Sequence, residues 1–271
     1  MLNKDFDVLK NWMFGSLSSL LGKIPPNPNL NILKMSIGEP QLGPPKFIRK
    51  QFDNFFDYWG KYPPSEPIPV LKDAIRFYLN QRFPGSEKII NFDKNLAPVP
   101  GTREALHLVG LISKNAQKNN SIAALTNPFY HAWKAGAIES GSKILWLNAK
   151  ESNNYNPNID ALSEETLKSI SIMYLCFPTN PHGALTDINY LIKAINLAKK
   201  YDFGIGSHVL EFTLFNSSRS SSIPFKSYPP SDTFSFVPLI FSMHSFTLLI
   251  SKSIGFSQKI AFPAFAAIVI N

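Results

Sequence analysis

Hydrophobic positions in the first three quarters of the chain follow two periods in turn. From Ser65 to Phe83, the residues Val70, Leu71, Ala74, Ile75, Tyr78 and Leu79 fall on one stripe at helical spacing. Thr102 to Ser113 repeats the pattern through Ala105, Leu106, Val109, Gly110 and Ile112, and Asp187 to Lys200 forms another amphipathic helix. Short, mostly apolar runs lie between the helices: Ser121–Leu125, Lys143–Leu147, Ile172–Phe177 and Phe203–Ser207. Helices alternating with short apolar runs predict an α/β fold, a mostly parallel sheet covered by helices on both faces. Clusters of Pro and Gly mark the joins.

The texture changes near Gly204. Of 19 acidic residues, only Glu211 and Asp232 lie beyond that point, and Ser and Phe dominate. No amphipathic helix can be drawn there. The expected layout is therefore an N-terminal segment over 1–36, an α/β domain over 37–203 and an atypical tail over 204–271. Thr233 to Ser251 carries no Asp, Glu, Lys or Arg, close to the ~18–20 residues that span a bilayer. Pro238, His244 and the serines make a poor spanning helix, so membrane attachment is the weaker expectation.

Three turns could hold an anion and a flat ring. In "VPGTREALHLVG" (Val99–Gly110), a strand-like approach ends at Pro100-Gly101 and a helix follows. The N–H groups of Thr102, Arg103 and Glu104 would face outward at the positive end of the helix dipole, a seat for phosphate. The plainer alternative is that Thr102 merely caps the helix. In "TNPFYHAW", Tyr130 enters a helix just after a strand and could stack on a planar ligand or pack under a loop. In "LCFPTNPHGAL" (Leu175–Leu185), two prolines flank Asn180 and aim its amide beyond the carboxyl end of a strand, where ligands of open α/β sheets bind.

These segments carry a resemblance. "SIGEP" (Ser36–Pro40), "YPPSEPIPVLKDAIRFYL" (Tyr62–Leu79), "GTREAL" (Gly101–Leu106), "NPFYHAW" (Asn127–Trp133) and "FPTNPHGAL" (Phe177–Leu185) occur in the order and spacing of class I/II aminotransferases. These are fold type I enzymes dependent on pyridoxal 5′-phosphate. The wording is similar to that of succinyldiaminopimelate transaminases of lysine biosynthesis. The resemblance covers about Leu30 to Ile205. It implies the large domain of that fold, and transfer of an amino group between an amino acid and a 2-oxo acid within a homodimer. It places Gly38 beside the substrate carboxylate and Tyr62 at the coenzyme phosphate of the neighbouring subunit. Gly101, Thr102 and Arg103 would contact the phosphate, Tyr130 would stack on the pyridine ring, and Asn180 would hydrogen-bond its phenolic oxygen. Two positions depart from the family wording: Pro67 stands where glycine is usual, and His182 replaces the threonine of Asn-Pro-Thr-Gly.

The tail lacks the groups that would complete the chemistry. The family's aspartate at the ring nitrogen follows one helix and one strand after the Asn-Pro motif, and here that position is His208, in "SHVLEF". Histidine supplies no fixed carboxylate charge. The lysine that bonds to the coenzyme and moves the proton has one candidate, Lys252 in "ISKSIGF", but Ile260 stands where an arginine should follow. In a second register Leu248 replaces the lysine. Read one base later, the codons permitted by Gln258–Ile268 allow Lys-Arg-Ser-x-x-Pro-x-Leu-Arg, close to the family segment. A lost reading frame near Gly204–His208 explains both the composition break and the missing motifs. The expectation is an aminotransferase by descent, incomplete on its carboxyl side and lacking the small domain. As written it would be impaired or inactive, or else a non-catalytic coenzyme-binding dimer partner.

Charge and cysteine narrow the partners. The net charge of +8 comes from scattered lysines and arginines with no aromatic-basic pattern, so no nucleic-acid partner is expected. The single cysteine, Cys176, excludes an intramolecular disulfide and fits a reducing, cytoplasmic setting. No metal cluster and no secretory leader is read from the sequence.

Overall fold

The structure is a computed structural model that describes residues 7, 13–31, 33, 43–44, 46–62, 69–88, 90–99, 101–114, 120–209, 246–250 and 265–270. Two compact units divide the chain, Met1–Phe56 and Asp57–Asn271. The first carries helices α1 (Met13–Leu21) and α2 (Lys46–Asn54), and leaves Leu17, Leu20 and Leu21 exposed.

The second unit is built on one sheet. Its described strands are β1 (Leu96–Val99), β2 (Ile122–Asn127), β3 (Lys143–Asn148), β4 (Ile170–Phe177), β5 (Gly204–Val209), β6 (Phe246–Ile250) and β7 (Phe265–Ile270), in the order β1-β7-β6-β5-β4-β2-β3. The pairings β3–β2, β2–β4 and β4–β5 are parallel. β6 and β7 are parallel to each other, and both run against β5 and β1. Five strands therefore point one way. The tail, to which the sequence assigns no helix, contributes β6 and β7 as the strands between β5 and β1. Both are runs of five or six apolar-rich residues, too short for a periodicity to show.

The helices of this unit are α3 (Pro69–Arg82), α4 (Thr102–Ile112), α5 (His131–Glu139), α6 (Glu164–Ser169) and α7 (Ile188–Tyr201). β4 shows why its sequence is apolar without alternation: all eight residues are buried. Ile172, Tyr174 and Cys176 pack on one face with Leu106 and Val109 of α4 and with Ala132, Trp133 and Ala137 of α5. Met173, Leu175 and Phe177 pack on the other with Ala194 and Ala198 of α7 and Leu167 of α6. Each face of the strand has its own helical cover, as expected for a parallel sheet. α3 buries Ile75 and Leu79 against Phe92 and Leu96, while Val70, on the same predicted stripe, is exposed.

α4 and α5 cross at two glycines. A Cβ added at Gly110 would lie 2.6 Å from the Tyr174 hydroxyl oxygen and 3.2 Å from the backbone of Gly136, and a Cβ at Gly136 would strike the carbonyl of His107. Tyr174, fully buried, donates its hydroxyl to the Leu106 carbonyl at 2.7 Å and stacks on Trp133, with ring centroids 5.1 Å apart. His107 Nε2 and Glu139 Oε2, 2.6 Å apart, tie the same two helices at their surface.

Gly110→Ala should overfill this crossing and destabilise the chain by about 1–3 kcal/mol, despite alanine's better helix propensity. Urea unfolding measures it, with Gly60→Ala as the control, since a Cβ there meets nothing within 4 Å. Burial also pushes the Cys176 thiol up to about 11, partly opposed by the backbone N–H of Asn180. At pH 8 native Cys176 should react with a disulfide reagent roughly a hundredfold more slowly than in denaturant. Prompt labelling in native buffer would contradict the packing of β4.

Candidate functional site

The carboxyl ends of β1, β2, β4 and β5 open on the same edge of the sheet, because these strands share a direction. That edge is where crossover connections leave room for a ligand.

β1 leads into α4 there. Gly101 is the residue before the helix, with extended backbone (φ −177°, ψ 160°) and no side-chain cap. Thr102 is thus the first helical residue and not the cap that the plainer sequence alternative makes it. The first bond of the helix runs from Ala105 N to Gly101 O at 3.0 Å, so the N–H groups of Thr102, Arg103 and Glu104 precede the helical ladder. The Glu104 carboxylate folds back over Gly101 and fills the space a side chain there would take. Glu104 is exposed, so it is free to turn outward when an anion approaches. Otherwise like charges would compete for the positive end of α4.

The second element is the start of α5. Tyr130 precedes its first turn and is partly buried. Its hydroxyl accepts from Arg103 Nε at 3.2 Å, and this bond raises the guanidinium pKa above its ordinary value. Trp133 meets the Tyr130 ring edge-on at 6.1 Å, and the His131 ring lies 4.5 Å away. Burial, then the charge of Arg103, lower the pKa of His131. The structure therefore brings together two residues singled out from the sequence: Arg103 in the first turn of α4 and Tyr130 just before α5.

The third element is the turn after β4. Thr179 closes it: its N–H donates to the Ala184 carbonyl at 2.9 Å, its carbonyl accepts from Gly183 N at 2.6 Å, and its Oγ1 accepts from Ala184 N at 2.9 Å. Gly183 sits at φ 69°, a left-handed position that suits glycine. Asn180 stands exposed at the tip, between cis peptide bonds at Phe177–Pro178 and Asn180–Pro181.

His208 lies in β5, paired in register with Cys176 of β4 and Thr247 of β6, one residue from the carboxyl end of its strand. Tyr62 is wholly exposed. Gly38, Pro67 and Lys252 lie outside the described residues. β6 brings Phe246 beside Val209 and Ile250 beside Ile205. Among the described residues, no group of His, Cys, Asp and Glu is placed to hold a metal ion, and no helix is long and apolar enough to cross a membrane.

The sequence reading passed over three side chains that shape this edge. Glu104 stands three residues after Gly101, the spacing of a capping box, and that signal was available. Tyr174 sits inside a buried run and reads only as core. The stacking of Tyr155 on His182 joins two segments far apart in sequence and leaves no pattern to read.

Comparison with known proteins supplies the family. The family described as "Aminotransferase class I and II" matches residues 31–205, more than half of the chain. An LL-diaminopimelate aminotransferase of Dehalococcoides mccartyi is 25% identical over 177 residues, covering 65% of this chain and 44% of the relative. One from Natranaerobius thermophilus is 27% identical over 202 residues, covering 73% and 48%. Among solved structures, an aminotransferase from Neisseria meningitidis superposes with a TM-score of 0.69 at 27% identity, over 76% of this chain and 52% of that one. Aminotransferase AspB from Helicobacter pylori gives 0.63 at 30% identity, over 72% and 50%. The chain spans about half the length of the relatives it matches. Five sequence motifs, the sheet with helices on both faces and these likenesses lead to one conclusion: the chain belongs to the class I and II aminotransferases.

Proposed function

We propose that the carboxyl-end edge of the sheet holds pyridoxal 5′-phosphate, the coenzyme of this family, and that the chain descends from an enzyme moving an amino group between an amino acid and a 2-oxo acid. The observation that carries this is the uncapped start of α4 beside the Arg103–Tyr130 bond. It sets backbone donors and a guanidinium next to a tethered aromatic ring, which suits a phosphorylated planar ring. In this reading Gly101, Thr102 and Arg103 take the phosphate, Tyr130 covers the ring face and Asn180 donates its amide to the ring oxygen. Gly38 serves the substrate carboxylate. The coenzyme, when bound, supplies an electron-withdrawing ring.

The names of the curated relatives support LL-diaminopimelate or a similar diamino acid as the amino donor. A cytoplasmic homodimer completes the reading; full exposure of Tyr62 suits a residue that serves a neighbouring subunit, and the lone cysteine suits a reducing compartment. The coenzyme-binding part is 37–203.

Turnover by this chain should be slight. Gly204–Val209 contains no carboxylate, and His208 holds the position of the family's aspartate. Lys252 is the amine that the tail's sequence offers, and with Ile260 where an arginine should follow it should not bond to the coenzyme.

Titration of the purified chain with pyridoxal 5′-phosphate, followed by absorbance and tryptophan fluorescence, tests the reading. Saturable binding is expected, weakened about tenfold or more for pyridoxal without its phosphate, since charged hydrogen bonds are each worth about 1.5–3 kcal/mol. Arg103→Gln should weaken binding as well. Borohydride treatment and peptide mapping should leave Lys252 unlabelled, and LL-diaminopimelate with 2-oxoglutarate should give no measurable product. Equal affinity for the two vitamers would refute the phosphate seat. Labelled Lys252 with ordinary turnover would refute the impairment.

A further inference from the structure

We propose that His182 and Tyr155 form an aromatic clamp that positions Asn180, a device of this chain in place of the threonine usual in the family motif. The proposal rests on the coenzyme reading above. The two rings lie face to face, with centroids 4.2 Å apart and planes 15° from parallel. A threonine at 182 could not offer such a face.

The partner ring is delivered at some conformational cost. Asn154 and Tyr155 are consecutive left-handed residues, at φ 48° and 54°. Left-handed backbone is unfavourable for a bulky side chain, so surrounding bonds must hold it. They do: Asn154 N donates to Glu151 O at 2.9 Å and Tyr155 N to Lys150 O at 2.8 Å. The amides of Asn154 and Asn156 each donate to the Leu185 carbonyl at 3.3 Å, just past the Asn180 turn. The far side of the same loop is fixed to α7, where Tyr190 Oη donates to Pro157 O at 2.9 Å and Lys193 pairs with Asp160.

The loop over 151–160 is thus anchored on a helix and grips the turn over 178–185 at two places. The Leu185 carbonyl secures its carboxyl end. The Tyr155 ring reaches His182, two residues from Asn180. The bonds of Thr179 close the base of the turn but not its tip. Without a ring at 182, the tip loses its lateral contact, and the Asn180 amide gains freedom that a bound coenzyme must then remove. Both residues are positioning residues that act through Asn180.

The test uses the full chain and four variants: His182→Ala, His182→Phe, Tyr155→Ala and Asn180→Ala. Amide hydrogen exchange at Gly183 and Ala184 is followed without coenzyme, and pyridoxal 5′-phosphate is titrated separately. Both alanine variants of the clamp should speed exchange and weaken coenzyme binding roughly two- to tenfold, the range for a lost aromatic pair. His182→Phe, which keeps a flat ring, should restore both. In an Asn180→Ala background, His182→Ala should have no further effect on coenzyme affinity. Unchanged exchange in His182→Ala, no rescue by phenylalanine, or an undiminished loss of affinity without Asn180 would each overturn the proposal. If the unaltered chain binds no coenzyme, the functional reading falls, while the exchange rates still decide whether the clamp exists.

Discussion

Tyr174 carries a hydroxyl into the crossing of α4 and α5, and the position of the whole edge depends on that group being accommodated. Its oxygen is buried, donates to Leu106 and occupies the space left by the missing side chain of Gly110. Its ring fills the space left by the missing side chain of Gly206 in β5. A buried phenol without a partner would cost about 1–3 kcal/mol, so the bond to Leu106 fixes how far α4 stands from β4. The amino end of α4 is the proposed anion seat, and β4 runs on from Tyr174 into the turn that presents Asn180. One rigid strand thus registers two parts of the site against each other.

Around that strand, the described residues include groups suited to gripping an anion and a flat ring. Backbone donors, a guanidinium and an aromatic ring converge at the start of α4 and α5. These are binding groups, and their geometry depends on packing within Asp57–Asn271, which the described residues supply. The proposed reading asks for a fixed negative charge near the end of β5, and that strand offers His208 instead.

Much of this was legible from the residues. The stripe in α4 and the runs that became β2, β3, β4 and β5 could be drawn within one or two residues; in β2 and β4 this is because burial on both faces favours apolar side chains throughout. The Asn180 turn was legible from its prolines and glycine. What stayed hidden depended on contacts between distant segments. The Arg103–Tyr130 bond, the Glu104 fold-back and the Tyr155–His182 stack are side-chain arrangements that no local period encodes. β6 and β7 were hidden for a different reason: their serine- and phenylalanine-rich surroundings blur the boundaries of short apolar runs.

The direction of β6 has its own consequence. Its first residue, Phe246, lies beside Val209 at the edge shared with Asn180, whereas its last, Ile250, lies beside Ile205, four residues or ~13 Å back along β5. β6 therefore begins at the rim where β4 and β5 end and finishes at the rim where they begin. Strand polarity thus sets the two ends of β6 at opposite rims of the sheet, and only its first residues lie level with the Asn180 turn.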